Sequence, residues 1–283
     1  MRNSNIKDSI NQSRGVLHQQ SSQSHYRLQR LLPDERLAPF IEQYWFVEWS
    51  LDKGKSHTQQ NLPDPTIHIT VENGLTQVYG PVKQRFSRTL SKSGNIFGIK
   101  FQAGAFHCIF KQSISKLCDQ SIPLNRIFLD TDLSVFDQIG NTQDLEQKAK
   151  LSNHFFQRLF EPDSEVSIND LPHSLAQLEK IKRLISTINS QQHITKVEAL
   201  CDQLAISHRS LQRLCRDYLG LSPKWLIRKY RLQEILARLE DESNSSVDWQ
   251  QYVSDLDYSD QAHFVKDFKS FTGFTPQDYL AKA

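Results

Sequence analysis

The residues best suited to chemistry in this sequence form two short sets, one between positions 207 and 216 and a weaker one between 259 and 266. In VEALCDQLAISHRSLQRLCRDYLG, Leu211, Leu214 and Tyr218 recur at i, i+3 and i+7, which buries one stripe of a helix. Arg209, Gln212, Arg213 and Arg216 fall on the opposite side, where a major groove could meet them. A guanidinium bonds bidentately to guanine and a Gln amide to adenine, each good pair discriminating by about 1–3 kcal/mol. Ser207 stands where a hydroxyl would cap the helix start, next to a phosphate. A merely soluble helix also exposes Arg and Gln, so these residues need a context.

Repetition supplies it. The stretch VDWQQYVSDLDYSDQAHFVKDFKSFTG repeats the order of short helix, turn, Ser N-cap and longer helix, with Ser259 equivalent to Ser207. Trp249, Tyr252, Val253 and Leu256 would pack the first helix of this unit, and Phe264, Phe268 and Phe271 the second. Gln261, His263, Lys266 and Lys269 would then be available to DNA. Between the units, Pro223 opens an apolar-striped helix. About 17 residues at ~1.5 Å each make a spacer of roughly 25 Å, compatible with successive major grooves about 34 Å apart.

The charge follows the same division. The whole chain carries a net charge of +2. Residues 174–233 hold eleven basic side chains against four acidic ones, a balance of +7, whereas residues 234–283 hold four against ten, a balance of −6. A basic segment suits phosphate contact and counterion release.

Those units must be positioned by the rest of a 283-residue chain, long enough for two cores. Residues 1–27 are rich in Ser, Gln and Asn and read as a flexible polar arm without the apolar core of a secretory signal. From Leu28 to Leu129, Pro and Gly punctuate short β-prone runs at 44–51, 66–72, 76–79, 86–90 and 95–102, which predicts a small sheet or barrel. Helical turns are expected at 39–44 and 104–111. Apolar residues at helical spacing in Leu145, Ala149, Phe155, Phe156 and Leu159 predict a helical linker, and the Pro-containing acidic stretch 161–172 marks a boundary. Helices are expected at 174–189, 196–204, 208–219, 223–240, 247–255, 260–271 and from Pro276. The fold class is therefore α+β with two domains. Residues 28–172 form a β-rich, barrel-like regulatory domain with a helical linker, and residues 173–283 an all-α domain of two helix-turn-helix units joined by a spacer helix.

The segments SHRSLQRLCRDYLGLSP and YSDQAHFVKDFKSFTGFTPQDYL resemble the AraC/XylS-type DNA-binding domain across about 110 residues. This resemblance implies a bacterial transcription factor with DNA-facing Arg209, Gln212 and Arg213 in one recognition helix and Gln261, His263 and Lys266 in the other. Val253 stands where a small Ala is usual and Asp257 where the turn usually has Gly. With the −6 balance, these departures suggest that the first unit supplies most of the affinity and that the second adjusts register or contacts RNA polymerase.

The segments LAPFIEQYWFVEWSL, NLPDPTIHITVENG, VYGPVKQRFSRTL and NIFGIKFQAGAF resemble the poorly characterised N-terminal domain of one subgroup of these regulators. That implies a sensory or assembly module. A barrel lined by Tyr44, Trp45, Trp49, Phe86, Phe97 and Phe101 could hold a small-molecule effector, with Arg85 and Arg88 meeting an anion; ordinary core packing is the alternative for the aromatics. No metal or cofactor is expected. His57, His68 and His107 form no compact ligand pair, and Cys108, Cys118, Cys201 and Cys215 make no paired C-x-x-C. An enzyme is the competing class, but the chain has no G-x-S-x-G elbow, no P-loop and no Pro-Cys-His repair nucleophile. A regulator whose N-terminal domain serves only assembly or a protein partner is the other alternative. No apolar run is long enough for a membrane span, so a cytoplasmic protein is expected, with double-stranded DNA as partner and a homodimer formed through residues 144–160.

Overall fold

The computed structural model describes residue 17 and residues 24–160, 171–191, 194–241, 253–254 and 258–281. The N-terminal half is built on strands β1 (Arg27–Leu31), β2 (Ile41–Ser50), β3 (Ser56–Asn61), β4 (His68–Glu72), β5 (Leu75–Tyr79), β6 (Phe86–Ser91), β7 (Ser93–Phe101) and β8 (Ser121–Pro123). Six strands form an antiparallel sheet in the order β1-β2-β7-β4-β5-β8, and β3 pairs with β6 in a second sheet. The expected turn at 39–44 is corrected: a short 3-10 turn occupies Glu35–Leu37, and Ile41 already opens β2. Three strands escaped notice because Arg27–Leu31, Ser56–Asn61 and Ser121–Pro123 lack an apolar alternation.

The two faces of the large sheet have different fates. Successive side chains of a strand alternate between faces, so Tyr44 and Phe46 of β2 point one way with Phe97, Ile99 and Phe101 of β7, all at most 1% exposed. Helices α2 (Ser134–Asn141) and α3 (Leu145–Phe160) cover this face, contributing Phe136, Phe155 and Phe156 to one core. The apolar stripe of Leu145, Ala149, Phe155, Phe156 and Leu159 is thus spent inside the domain. Lys148 of α3 is 1% exposed in that core, donating from Nζ to the carbonyl of Ile139 at 2.5 Å, with the Phe46 ring 5.1 Å away. The other face carries Trp45, Val47 and Trp49 towards the small sheet. A short helix α1 (His107–Phe110) precedes β8.

The elements among the described residues of the C-terminal region are all helices: α4 (Leu171–Ser190), α5 (Val197–Leu204), α6 (His208–Leu214) with a π turn at Cys215–Leu219, α7 (Pro223–Asp241), α8 (Gln261–Thr272) and α9 (Pro276–Leu280). The expected helix at 247–255 lies almost wholly outside the described residues, as does Asp257. Two cores divide the region. Leu200, Leu211, Cys215 and Leu226 pack with Ile181 and Leu184 in one. Leu232, Ile235, Phe264 and Phe268 form the other, which also takes in Leu17 of the N-terminal arm. Leu17 is 3% exposed, and its backbone N–H donates to Gln60 of β3.

The halves meet along a polar and aromatic seam. Ser113 Oγ donates to the Arg216 carbonyl at 3.1 Å and Trp225 Nε1 to the Lys83 carbonyl at 3.1 Å, while the rings of His107 and Tyr218 stack 4.1 Å apart. Gly220 has φ +74°, and a Cβ there would lie 2.6 Å from Cys118 Sγ, so both backbone angle and space require glycine.

Candidate nucleic-acid interface and ligand cavity

The first helix-turn-helix unit is made by α5 and α6. Ala205 turns the chain in the left-handed region at φ 51°. Ser207 then caps α6, its Oγ accepting from the Ser210 N–H at 3.2 Å. Leu211 is fully buried, and at about 100° per residue Arg209, Gln212 and Arg213 share the far side of the helix, all exposed. Arg216 lies beyond them in the π turn, where its Nε donates to Asp217 at 3.0 Å. It is exposed but engaged by its own helix, so the face centres on Arg209, Gln212 and Arg213.

In the second unit one expectation is corrected. Asp260, not Ser259, caps α8, its carboxylate accepting from the His263 N–H at 2.7 Å. An ionised oxygen is the stronger acceptor there, being closer to the partial positive charge of the helix start. Ser259 Oγ instead donates to Asp260 and lies 3.3 Å from His263 Nδ1. Gln261, His263 and Lys266 are exposed. Phe264, Phe268 and Phe271 set the buried side, which puts Lys266 and Lys269 at the centre of the open face and Gln261 and His263 on its rims.

Sequence reasoning missed the residue that fixes this unit. Asp267, 5% exposed, receives two N–H groups of Arg228 from α7, one of them Nε at 2.6 Å. Arg228 also lies over the Phe271 ring at 5.5 Å. The spacer helix therefore grips the second recognition helix through a bidentate pair. The i+3 offset from Phe264 could have flagged Asp267 as inward-facing. Helix α7 spans 19 residues, about 28 Å at ~1.5 Å per residue.

A cavity of about 300 Å³ lies between the two sheets. Of the residues expected to line it, Trp45, Trp49, Phe86 and Arg88 do so. Tyr44, Phe97 and Phe101 do not, because strand alternation turns them into the helix-covered core. Arg85 does not either: its guanidinium packs against Gly273 and 5.9 Å from the Phe274 ring, at the seam with the helical domain. Arg88 is paired with Glu72.

The cavity floor has an unusual construction. Trp45 and Trp49 of β2 stand opposite Gly98 and Gly94 of β7. A Cβ at Gly98 would sit 1.9 Å from the Trp45 ring, and one at Gly94 would sit 2.4 Å from the Trp49 ring. Each indole therefore lies across a bare backbone and turns its other side to the cavity. Trp45 Nε1 donates to His68 Nδ1 at 3.3 Å, which places the imidazole proton on Nε2, 3.2 Å from Thr66 Oγ1.

Burial, reinforced by Lys100, lowers the His68 pKa from 6.5 to about 4. Burial also opposes the Lys100 ammonium, but Asp64 and Glu42, at 3.4 and 2.9 Å, outweigh it and hold its pKa above the ordinary lysine value. Between pH 6.5 and about 4 the unfolded chain binds a proton at His68 that the folded chain does not. Stability is therefore expected to fall through that window as pH is lowered, by at most on the order of 3 kcal/mol. Thermal melts should show this slope in the wild type and lose it in His68→Gln; an unchanged slope would remove His68 as its source.

No described helix is long and apolar enough to cross a membrane. Among the described residues no group of three or more His, Cys, Asp or Glu could hold a metal ion.

Two family models match the chain. One, described as a domain of unknown function (DUF6597), matches residues 29–123, and one described as a helix-turn-helix domain matches residues 200–282. No curated protein matches it. Solved structures similar to the chain include several of ToxT from Vibrio cholerae. One at 14% identity covers 91% of this chain and 98% of that one, with a TM-score of 0.35. A second, bound to (E)-4-(8-methylnaphthalen-1-yl)but-3-enoic acid, has 16% identity, coverage of 91% and 99%, and a TM-score of 0.37. A third, bound to an unsaturated fatty acid, has 15% identity, coverage of 94% and 95%, and a TM-score of 0.32.

Proposed function

We propose that this chain, which joins a DUF6597 domain to a C-terminal helix-turn-helix domain of the AraC type, is a sequence-specific transcriptional regulator whose DNA binding is controlled by a small-molecule effector. The observation that carries the DNA-binding part is the set of Arg209, Gln212 and Arg213 on one exposed face of α6, with Lys266 and Lys269 presented by α8. Arginine and glutamine read guanine and adenine edges, and lysines meet phosphates. The N-terminal domain leaves both faces open and touches the C-terminal ends of the recognition helices instead, through Ser113 at Arg216 and Arg85 at Phe274. It is therefore placed to change the relation between the two units rather than to cover them.

Effector control rests on the cavity, which is walled by the β-rich domain and closed on one side by Lys229 and Gln233 of the spacer helix. A ligand there touches both domains. A role for the second unit in contacting RNA polymerase follows from its less complete reading face, and a cytoplasmic location follows from the DNA partner. The test is a titration of mixed-sequence duplex by the full chain at increasing salt. A linear fall of log affinity with log salt is expected, as counterions are released. Binding that does not change with salt, or no binding, would remove the phosphate-gripping role.

A further inference from the structure

Between Glu72 and Asp119 the chain has no acidic residue, yet it carries seven lysines and arginines. A run of like charge is ordinarily a solvated face or one side of a set of ion pairs, and five of the seven are accounted for. Arg88 pairs with Glu72, Lys100 with Glu42 and Asp64, and Lys83 with Asp119. Arg85 lies over the Phe274 ring. Lys92 sits in the β6–β7 turn, beside the Ser56 and Ser91 end of the small sheet. The opposite end of that sheet leads into Leu62, which packs on the core of the second helix-turn-helix unit, so Lys92 faces away from the helical domain.

Lys111 and Lys116 remain. Both are exposed, and among the described residues no carboxylate lies within ion-pair distance of either ammonium. Lys116 Nζ donates to the neutral Gln112 Oε1 at 2.9 Å, which leaves it donors to spare. The carboxylates nearby are already matched, Asp217 by Arg216 and Asp119 by Lys83.

The first recognition helix fixes where these two lysines stand. They flank Ser113, whose Oγ donates to the Arg216 carbonyl, and Cys118, two residues beyond Lys116, donates from Sγ to the Gly220 carbonyl at 2.8 Å. The 3-10 turn Ile114–Leu117 thereby packs on the π turn that ends α6. The seven residues of α6 and the five of the π turn span about 18 Å at ~1.5 Å each, whereas the major groove is about 12 Å wide. With Arg209, Gln212 and Arg213 at base edges, the end of the helix that carries Arg216 therefore emerges at the sugar-phosphate ridge, and the loop from Lys111 to Lys116 emerges with it.

Resting on the DNA-binding reading above, we propose that the β-rich domain itself grips duplex DNA, with Lys111 and Lys116 on phosphates at the edge of the groove that α6 reads. Affinity then depends on how this domain is seated, because any shift at the Ser113 and Cys118 contacts moves both lysines relative to α6.

The test is a salt titration of duplex selected from a random pool, using the full chain as wild type, Lys111→Ala/Lys116→Ala, Lys111→Arg/Lys116→Arg and a control, Lys53→Ala/Lys55→Ala. The control takes two exposed lysines from the β2–β3 turn, at the end of the small sheet away from the helical domain, and reports the effect of net charge alone. Each phosphate contact contributes about 0.9 to the slope of log affinity against log salt. The alanine pair is therefore expected to lower that slope by about 1.8, so that its deficit against wild type shrinks about 12-fold between roughly 50 and 200 mM salt. Base preference and melting temperature should stay as in the wild type, since both side chains are exposed. The arginine pair keeps both charges and should bind as the wild type does. An alanine pair with the slope of the wild type or of the control, a changed base preference, or an arginine pair that fails to restore the slope overturns the proposal. A wild type that binds duplex while the alanine pair is unaffected refutes this inference alone; a wild type that binds no duplex refutes the regulator reading on which it rests.

Discussion

Arg213→Ala is expected to weaken binding to the chain's preferred duplex by about 1–3 kcal/mol, roughly 5- to 150-fold, and to relax base preference at one position. Arg213 sits near the middle of the exposed face of α6, beside Arg209 and with Gln212 further round, on a helix whose start is fixed by the Ser207 cap. Its guanidinium has no carboxylate partner among the described residues, so none has to be given up for a base edge. Lys266→Ala should cost less and act alike on all sequences, lowering the salt slope by about one, because a lysine on the open face of α8 meets phosphate rather than a base. The rest of that face is less free: His263 is drawn into the cap of its own helix through Ser259 and Asp260. Competition titrations of both variants against matched and single-mismatch duplexes check this. Equal losses, or a Lys266→Ala variant with altered base preference, would contradict the division of labour between the two units.

Asp267→Ala should destabilise the C-terminal domain by about 2–4 kcal/mol, below the 3–5 kcal/mol seen when a fully buried pair is broken because Arg228 keeps 29% exposure. The substitution removes the only contacts by which the Arg228 guanidinium donates to a described carboxylate and leaves that charge against Phe271. The second recognition helix would lose its anchor on the spacer, so register between the units should loosen before the first unit is affected. Combining Asp267→Leu with Arg228→Met should recover most of the loss, since an apolar pair of similar size avoids the unpaired charge. Denaturant melts of the single and double variants provide the measurement; a single variant within 0.5 kcal/mol of wild type, the scatter of surface substitutions, would show that packing alone holds the helix.

The C-terminal architecture was legible because its signals are local. Pro223 at a helix start, Ser207 before α6, and leucines and phenylalanines at helical spacing each act within a turn or two of chain. Asp260 was passed over in favour of Ser259 because both residue types cap helices and only the backbone angles decide which one does. The β-rich domain was less legible. Strands such as Ser56–Asn61 are polar on both faces, and their pairing with Phe86–Ser91 is a long-range choice. The cavity was half found. Adjacent residues Tyr44 and Trp45 cannot face the same side of a strand, and period-two alternation alone would have separated the core aromatics from the cavity ones. Lys229 carries no local signal, and the i+3 offset of Asp267 from Phe264 marks only its inward direction: each acquires its partner when α7 is set against the sheet or against α8.

The central claim, that one chain reads DNA with two helix-turn-helix units spaced by α7, is tested most directly by selecting bound duplexes from a random pool with the full chain and sequencing them. The account predicts enrichment of a two-part motif whose halves lie about one helical turn, roughly 10 base pairs, apart, with the stronger half lost when the selection is repeated with Arg213→Ala. A pool retained without any enriched sequence, or a single contiguous motif unaffected by Arg213→Ala, would contradict it.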